Sequence, residues 1–161
     1  MIFYKGDEKM SSMRLQLTEG VSVVSLPQIP ANGLLTAKLL ARLGDAGIIL
    51  DMISQSTPSS SQVSISFTIL DADLVATLKV LREPEFEGKL KPLISSENTK
   101  IQLYDPQMDQ KSGVAAAVLG AIVEQGIEIL LITTSDLDIS VAIPGVRQMD
   151  AINAIKREFD I

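Results

Sequence analysis

Two stretches of this chain read alike, and that duplication limits what the chain can fold into more than any other feature. Gly47-Ile48 corresponds to Gly126-Ile127, Ile53-Ser-Gln-Ser56 to Ile132-Thr-Thr-Ser135, and Ile65-Ser66 to Ile139-Ser140. Order, spacing and turn residues agree, which marks an internal repeat. Residues 21–26 (VSVVSL) are β-branched and end at Pro27, so they predict a strand. Leu35, Leu39 and Leu43 then share a helical face, closed by Gly44 and Gly47. Residues 48–54 predict a second strand, the Ser/Pro segment 56–61 a turn, and the alternating 63–69 (VSISFTI) a third strand. Asp71 is placed to cap a helix carrying Leu74, Leu78 and Leu81. The second half repeats this with strands at 100–104, 127–133 and 137–143, and helices around Val114–Ile122 and Met149–Phe159.

Each half alone lacks one closing strand. Residues 13–17 (MRLQL) and 90–94 (LKPLI) are the available extras. With them each half becomes a βαββαβ unit, an antiparallel four-stranded sheet with two helices on one face. This is the α+β, ferredoxin-like arrangement. The units are expected at 18–94 and 95–161, the second completed by strand 13–17, so that they interleave in sequence. Free sheet edges invite pairing, within the chain or in a homodimer.

Composition narrows the chemistry. The 161 residues are 46% hydrophobic but only 4% aromatic, without Trp, so the core is expected to be aliphatic. A net charge of -6 argues against a nucleic-acid partner, which needs a concentrated basic surface. There is no Cys and no His, which removes thiolate chemistry, disulfides, the commonest general base and the commonest zinc ligand. No cofactor or metal is expected. The chain has no G-x-x-x-x-G-K-[ST] loop and no G-x-G-x-x-G, and no nucleophile has an evident activating base. A catalytic role is therefore not expected. Met1–Lys9 lacks the apolar stretch of a leader, and the Ala-rich Gly113–Val123 run is too short to span a bilayer, so no membrane partner and a cytoplasmic place are expected.

Binding is a better prospect. In both halves a Gly-bearing loop leads into the first helix, whose start exposes backbone N–H groups at the positive end of its dipole. Polar groups sit near the end of the following strand: Asp51, Gln55 and Ser56 in one half, Glu128, Thr133, Thr134 and Ser135 in the other. A zwitterion needs such a mixture. Ordinary strand ends and turns carry the same residue types.

The string Ala46-Gly-Ile-Ile-Leu-Asp-Met-Ile-Ser-Gln-Ser56, followed by Ile65-Ser-Phe-Thr68, resembles the first ACT domain of aspartokinases, with its A-G-I-N-V-D-M-I-x-Q. Gly113-Val-Ala-Ala, Gln125-Gly-Ile-Glu-Ile129 and Ile132-Thr-Thr-Ser-Asp-Leu-Asp-Ile-Ser140 resemble the second. The likeness covers residues 13–161 and includes none of the kinase part. It implies tandem ACT units acting as a stand-alone allosteric sensor. The implied ligand is a small amino acid of the lysine or threonine class. The implied effector contacts are Asn32, Gly33, Leu34, Asp51 and Gln55 on one wall and Gly126, Ile127, Glu128 and Ile129 of a facing unit on the other. The family's Asn in G-I-N is Ile49 in the first half and Glu128 in the second. The alternative is an interaction subunit that binds no ligand and docks on a separate kinase or biosynthetic enzyme.

Overall fold

The computed structural model describes residues 2–5 and 13–161, so Met1 and residues 6–9 of the stretch read for a leader lie outside it. The chain divides into two compact units. A contiguous one comprises Val21–Ser96, and a split one comprises Met1–Gly20 with Glu97–Ile161. The strands are β1 (Ile2–Lys5), β2 (Arg14–Pro30), β3 (Ile53–Gln55), β4 (Gln62–Leu70), β5 (Leu93–Tyr104), β6 (Leu131–Thr134) and β7 (Asp138–Pro144). The helices are α1 (Leu34–Asp45), α2 (Leu74–Leu81), α3 (Val114–Val123) and α4 (Gln148–Phe159). The contiguous unit has the strand order β3-β4-β2-β5. The split unit has β2-β5-β7-β6, with β1 pairing β2. This is the α+β, ferredoxin-like architecture expected from the repeat.

Residues 13–17 and 21–26, read above as separate strands, belong to one strand, β2. Likewise β5 runs unbroken from Leu93 to Tyr104. Each passes from one unit to the other at a left-handed residue, Gly20 (φ 65°) in β2 and Glu97 (φ 58°) in β5. A single residue of that conformation twists and bends a strand without ending it. Local sequence reads the same residue as a break.

The pairing register reproduces the sequence repeat. β3 sets Ile53, Ser54 and Gln55 opposite Phe67, Ser66 and Ile65. β6 sets Ile132, Thr133 and Thr134 opposite Val141, Ser140 and Ile139. Both edge strands are shorter than the sequence predicts. In the contiguous unit Met52 donates its N–H to the buried Thr68 hydroxyl at 2.9 Å, so Ile48–Met52 form no regular ladder. Asp51 N–H to Thr68 O and Thr68 N–H to Met52 O still tie the segment to β4.

Each unit packs its helices on one sheet face. In the contiguous unit Leu39 and Leu43 of α1 and Val80 and Leu81 of α2 meet Val24 and Leu26 of β2 and Ile65 and Phe67 of β4. In the split unit Val118 and Ile122 of α3 and Ile152 and Ile155 of α4 meet Leu15, Leu17, Ile101, Leu103 and Val141. The strand residues recur at every second position, as a half-buried sheet requires. The core is not wholly aliphatic: Phe67 and Phe86 are fully buried in it.

Asp71 does not cap a helix. Residues Asp71–Asp73 form a 3-10 turn before α2, without a side-chain cap bond. Its carboxylate instead accepts the Ser22 hydroxyl of β2 at 2.6 Å. In the split unit the Thr99 hydroxyl of β5 likewise donates to Gln148 Oε1 at the start of α4, at 2.8 Å. Ser22 and Thr99 hold matching register positions, opposite Ile69 and Ile143. The duplication thus includes a strand-to-helix tie that the aligned motifs do not reveal.

Candidate functional site

The start of α1 is built by three residues. Pro30 ends β2, and Asn32 Oδ1 accepts the Leu34 N–H at 3.1 Å. Gly33 takes the left-handed conformation (φ 75°), and its carbonyl accepts the Ala37 N–H at 2.9 Å. A side chain at Gly33 would be strained there. The first helical N–H groups have no carbonyl behind them, so this end favours negative charge. A cavity of about 220 Å³ opens beside it, lined by Pro30, Asn32, Leu34, Leu35, Lys38, Glu85 and Lys89. Lys38 Nζ bonds Glu85 Oε1 and Lys89 Nζ bonds the Glu85 carbonyl, both at 2.8 Å. The rim is thus cationic on balance, over an apolar floor from Pro30, Leu34 and Leu35.

The split unit starts α3 in the same way. Gly113 is left-handed (φ 86°) and its carbonyl accepts the Ala117 N–H at 3.0 Å. The loop before it is held by Asp105, whose side chain is fully buried. It accepts Lys111 Nζ at 2.6 Å and the Gln107 N–H at 3.0 Å. Burial alone would push this carboxyl up, but the Lys111 ammonium and the Gln107 N–H outweigh it and hold Asp105 below the usual carboxylate range. Sequence reasoning missed this residue. Asp105-Pro106 is a turn-initiating pair, and that signal could have found it.

The remaining expected contacts belong to other segments of the two units. Asn32 and Leu34 line the α1 cavity, whereas Asp51 and Gln55 are not among its described lining residues. Both are exposed, Gln55 on edge strand β3. Gly126, Ile127, Glu128 and Ile129 belong to the split unit. Gly126 (φ 67°) and Gly47 (φ 75°) follow α3 and α1, and Ile127 and Ile48 are the buried residues that come next. In the contiguous unit the Ile48 N–H returns to the Leu43 carbonyl at 3.0 Å. The repeated Gly-Ile is thus a left-handed helix stop with an apolar anchor. At Ile127 only the backbone is available to a ligand. Glu128 is exposed, and Ile49, the matching residue, is 78% exposed. The Ser56 and Ser135 hydroxyls are taken up by their own turns, accepting Ser64 N–H and Asp138 N–H. Among the described residues no group of three or more Asp or Glu is placed to hold a metal ion, and no helix is long and apolar enough to cross a membrane.

The family model described as ACT domain matches twice, at residues 29–84 and 101–159. The aspartokinase of Geobacillus stearothermophilus is 30% identical over 130 residues, spanning 78% of this chain and 30% of that protein. That of Thermus thermophilus is 27% identical over 162 residues, spanning 96% and 38%. The chain therefore spans about a third of the length of these curated relatives. Among solved structures, the ligand-free regulatory subunit of aspartate kinase from Thermus thermophilus superposes with a TM-score of 0.82 at 26% identity. The match covers 90% of this chain and 96% of that one. The corresponding subunit from Thermus flavus gives 0.80 at 26% identity, with the same coverage.

Proposed function

Since the chain belongs to the ACT-domain family, with a match in each of its two units, we propose that it is a regulatory sensor of a small amino acid rather than a catalyst. The observation that carries this reading is the likeness to aspartate kinase regulatory subunits over nearly the whole of both chains. The proposed output is control of an aspartokinase-type catalytic chain, and the proposed working form is a homodimer. The proposed effector contacts are Asn32, Gly33, Leu34, Asp51 and Gln55 in the contiguous unit and Gly126 to Ile129 in the split unit. Backbone N–H groups at a helix start suit the α-carboxylate. The Glu128 carboxylate suits the ammonium, where the resembled family uses an amide.

Calorimetry of the chain against the twenty amino acids, lysine and threonine first, tests this. One of them is expected to bind saturably. Gln55→Ala and Glu128→Gln are each expected to weaken it about tenfold, or ~1.4 kcal/mol. The exposed Ile49 favours a second reading, docking on a separate kinase or biosynthetic enzyme without a ligand. If no amino acid gives heat or a thermal shift at millimolar concentration, the sensor reading is lost. Capture of a catalytic chain by the wild type but not by Ile49→Asp then establishes the second.

A further inference from the structure

The sheet of the split unit has a second face. Leu15, Leu17, Ile101 and Leu103 point into the helix-covered core. Strand alternation therefore turns Arg14, Gln16, Gln102 and Tyr104 to the opposite face. These four line a recess of about 220 Å³ on the neighbouring strands β2 and β5. Residues two apart along a strand and one strand over mark a footprint of roughly 5 Å by 7 Å, the size of a small metabolite.

All four side chains carry hydrogen-bond donors, yet none is engaged by another described residue. Gln16, Gln102 and Tyr104 are half-buried, where a polar group calls for a partner. The described lining holds no carboxylate. The acid beside it, Asp138, stands opposite Tyr104 on β7 and is already bonded by the Ser135 hydroxyl at 2.5 Å.

This chemistry differs from that of an amino-acid site. A guanidinium fork binds a carboxylate or phosphoryl group in two-point fashion. Glutamine amides donate and accept, and the phenol donates. No described lining residue carries the carboxylate that would pair with a ligand ammonium. We propose that this recess is a separate binding site for a small organic oxyanion. Its carboxylate or phosphoryl group would sit on Arg14, and its other polar groups would be read by Gln16, Gln102 and Tyr104. The site is independent of the effector contacts above.

The test is titration of the isotope-labelled full chain with succinate, with inorganic phosphate, and with sodium chloride at matched ionic strength, followed by amide chemical shifts. Saturable shifts around residues 14–16 and 102–104 are expected with succinate or phosphate, and whichever saturates identifies the oxyanion. Arg14→Gln is expected to weaken that binding at least tenfold, Arg14→Lys less, and Gln102→Leu several-fold. Gln55→Ala leaves it unchanged, so failure of the amino-acid reading does not touch this one. Shifts that merely follow the chloride control overturn the proposal, as does saturable binding that neither Arg14→Gln nor Gln102→Leu weakens. Should Arg14→Gln lose the dispersed spectrum of a folded chain, Gln102→Leu alone decides.

Discussion

Asp105 shows how a single side chain can fix a loop that composition alone leaves open. Its side chain is fully buried, and it accepts from Lys111 and from the Gln107 N–H, while its own backbone N–H donates to the Leu137 carbonyl and its carbonyl accepts from Met108. Its folded pKa is depressed, so its contribution to stability is present above the ordinary carboxylate pKa. That contribution fades as pH falls toward and through the lower folded value. Asp105→Asn keeps the shape and removes the charge. It is expected to cost about 1.5–3 kcal/mol at neutral pH, the range for a hydrogen bond to a charged group. The gap to wild type should narrow as pH drops from about 5 toward 3. Urea unfolding at both pH values measures it, and a gap that stays constant removes the ionised carboxylate from the account.

At the scale of elements, the duplicated parts are junctions as much as strands and helices. Left-handed glycines start α1 and α3, left-handed glycines stop them, and a hydroxyl from β2 in one unit and from β5 in the other ties down the start of the second helix. The closest junction lies where the turn Gly145–Arg147 leads into α4. A Cβ on Gly145 would stand 2.5 Å from the Glu97 carbonyl oxygen, backbone that has no rotamer to yield. Gly145→Ala must therefore move the turn or the β5 backbone at the left-handed Glu97. The expected loss is about 1–3 kcal/mol, as for other overpacked sites, read as a lower urea midpoint. An unchanged midpoint would mean that the backbone at Glu97 yields freely.

At the scale of the molecule, the two units are unequal in how they are assembled from the chain. The contiguous unit takes all its strands from residues 21–96, whereas the split unit borrows Arg14–Gly20 from the other end of the sequence. That loan carries Leu15 and Leu17, both nearly fully buried. Each contributes about 1.5–3 kcal/mol by burial, together a large part of a typical domain stability of about 5–15 kcal/mol. A fragment of residues 97–161 is therefore expected to be unfolded by circular dichroism. The same fragment with residues 13–20 attached through a flexible linker should unfold cooperatively. A folded bare fragment would show that the borrowed strand is dispensable.

Much of this was legible in the chain itself. Period-two alternation in 63–69 and helical spacing of Leu35, Leu39 and Leu43 are local signals, and they gave the elements. The Ile-x-x-Ser and Ile-Ser repeats aligned the two halves, and the register that the structure adds follows that alignment. Other features depend on groups far apart in sequence. Gly20 reads locally as a break, and only the strands on either side keep β2 continuous. Asp71 reads as a cap until Ser22 reaches it. The Gly-Ile pair, read from sequence as pointing to a ligand, is also a helix stop whose isoleucine fills the core. The recess at Arg14, Gln16, Gln102 and Tyr104 left no motif, since its two strands meet only once the borrowed segment pairs beside β5. Sequence by itself determined the repeated unit, because periodicity and turn chemistry act within a few residues. Only tertiary structure decided which polar groups are spent on folding and which remain for a ligand, because that depends on partners the chain brings together from a distance.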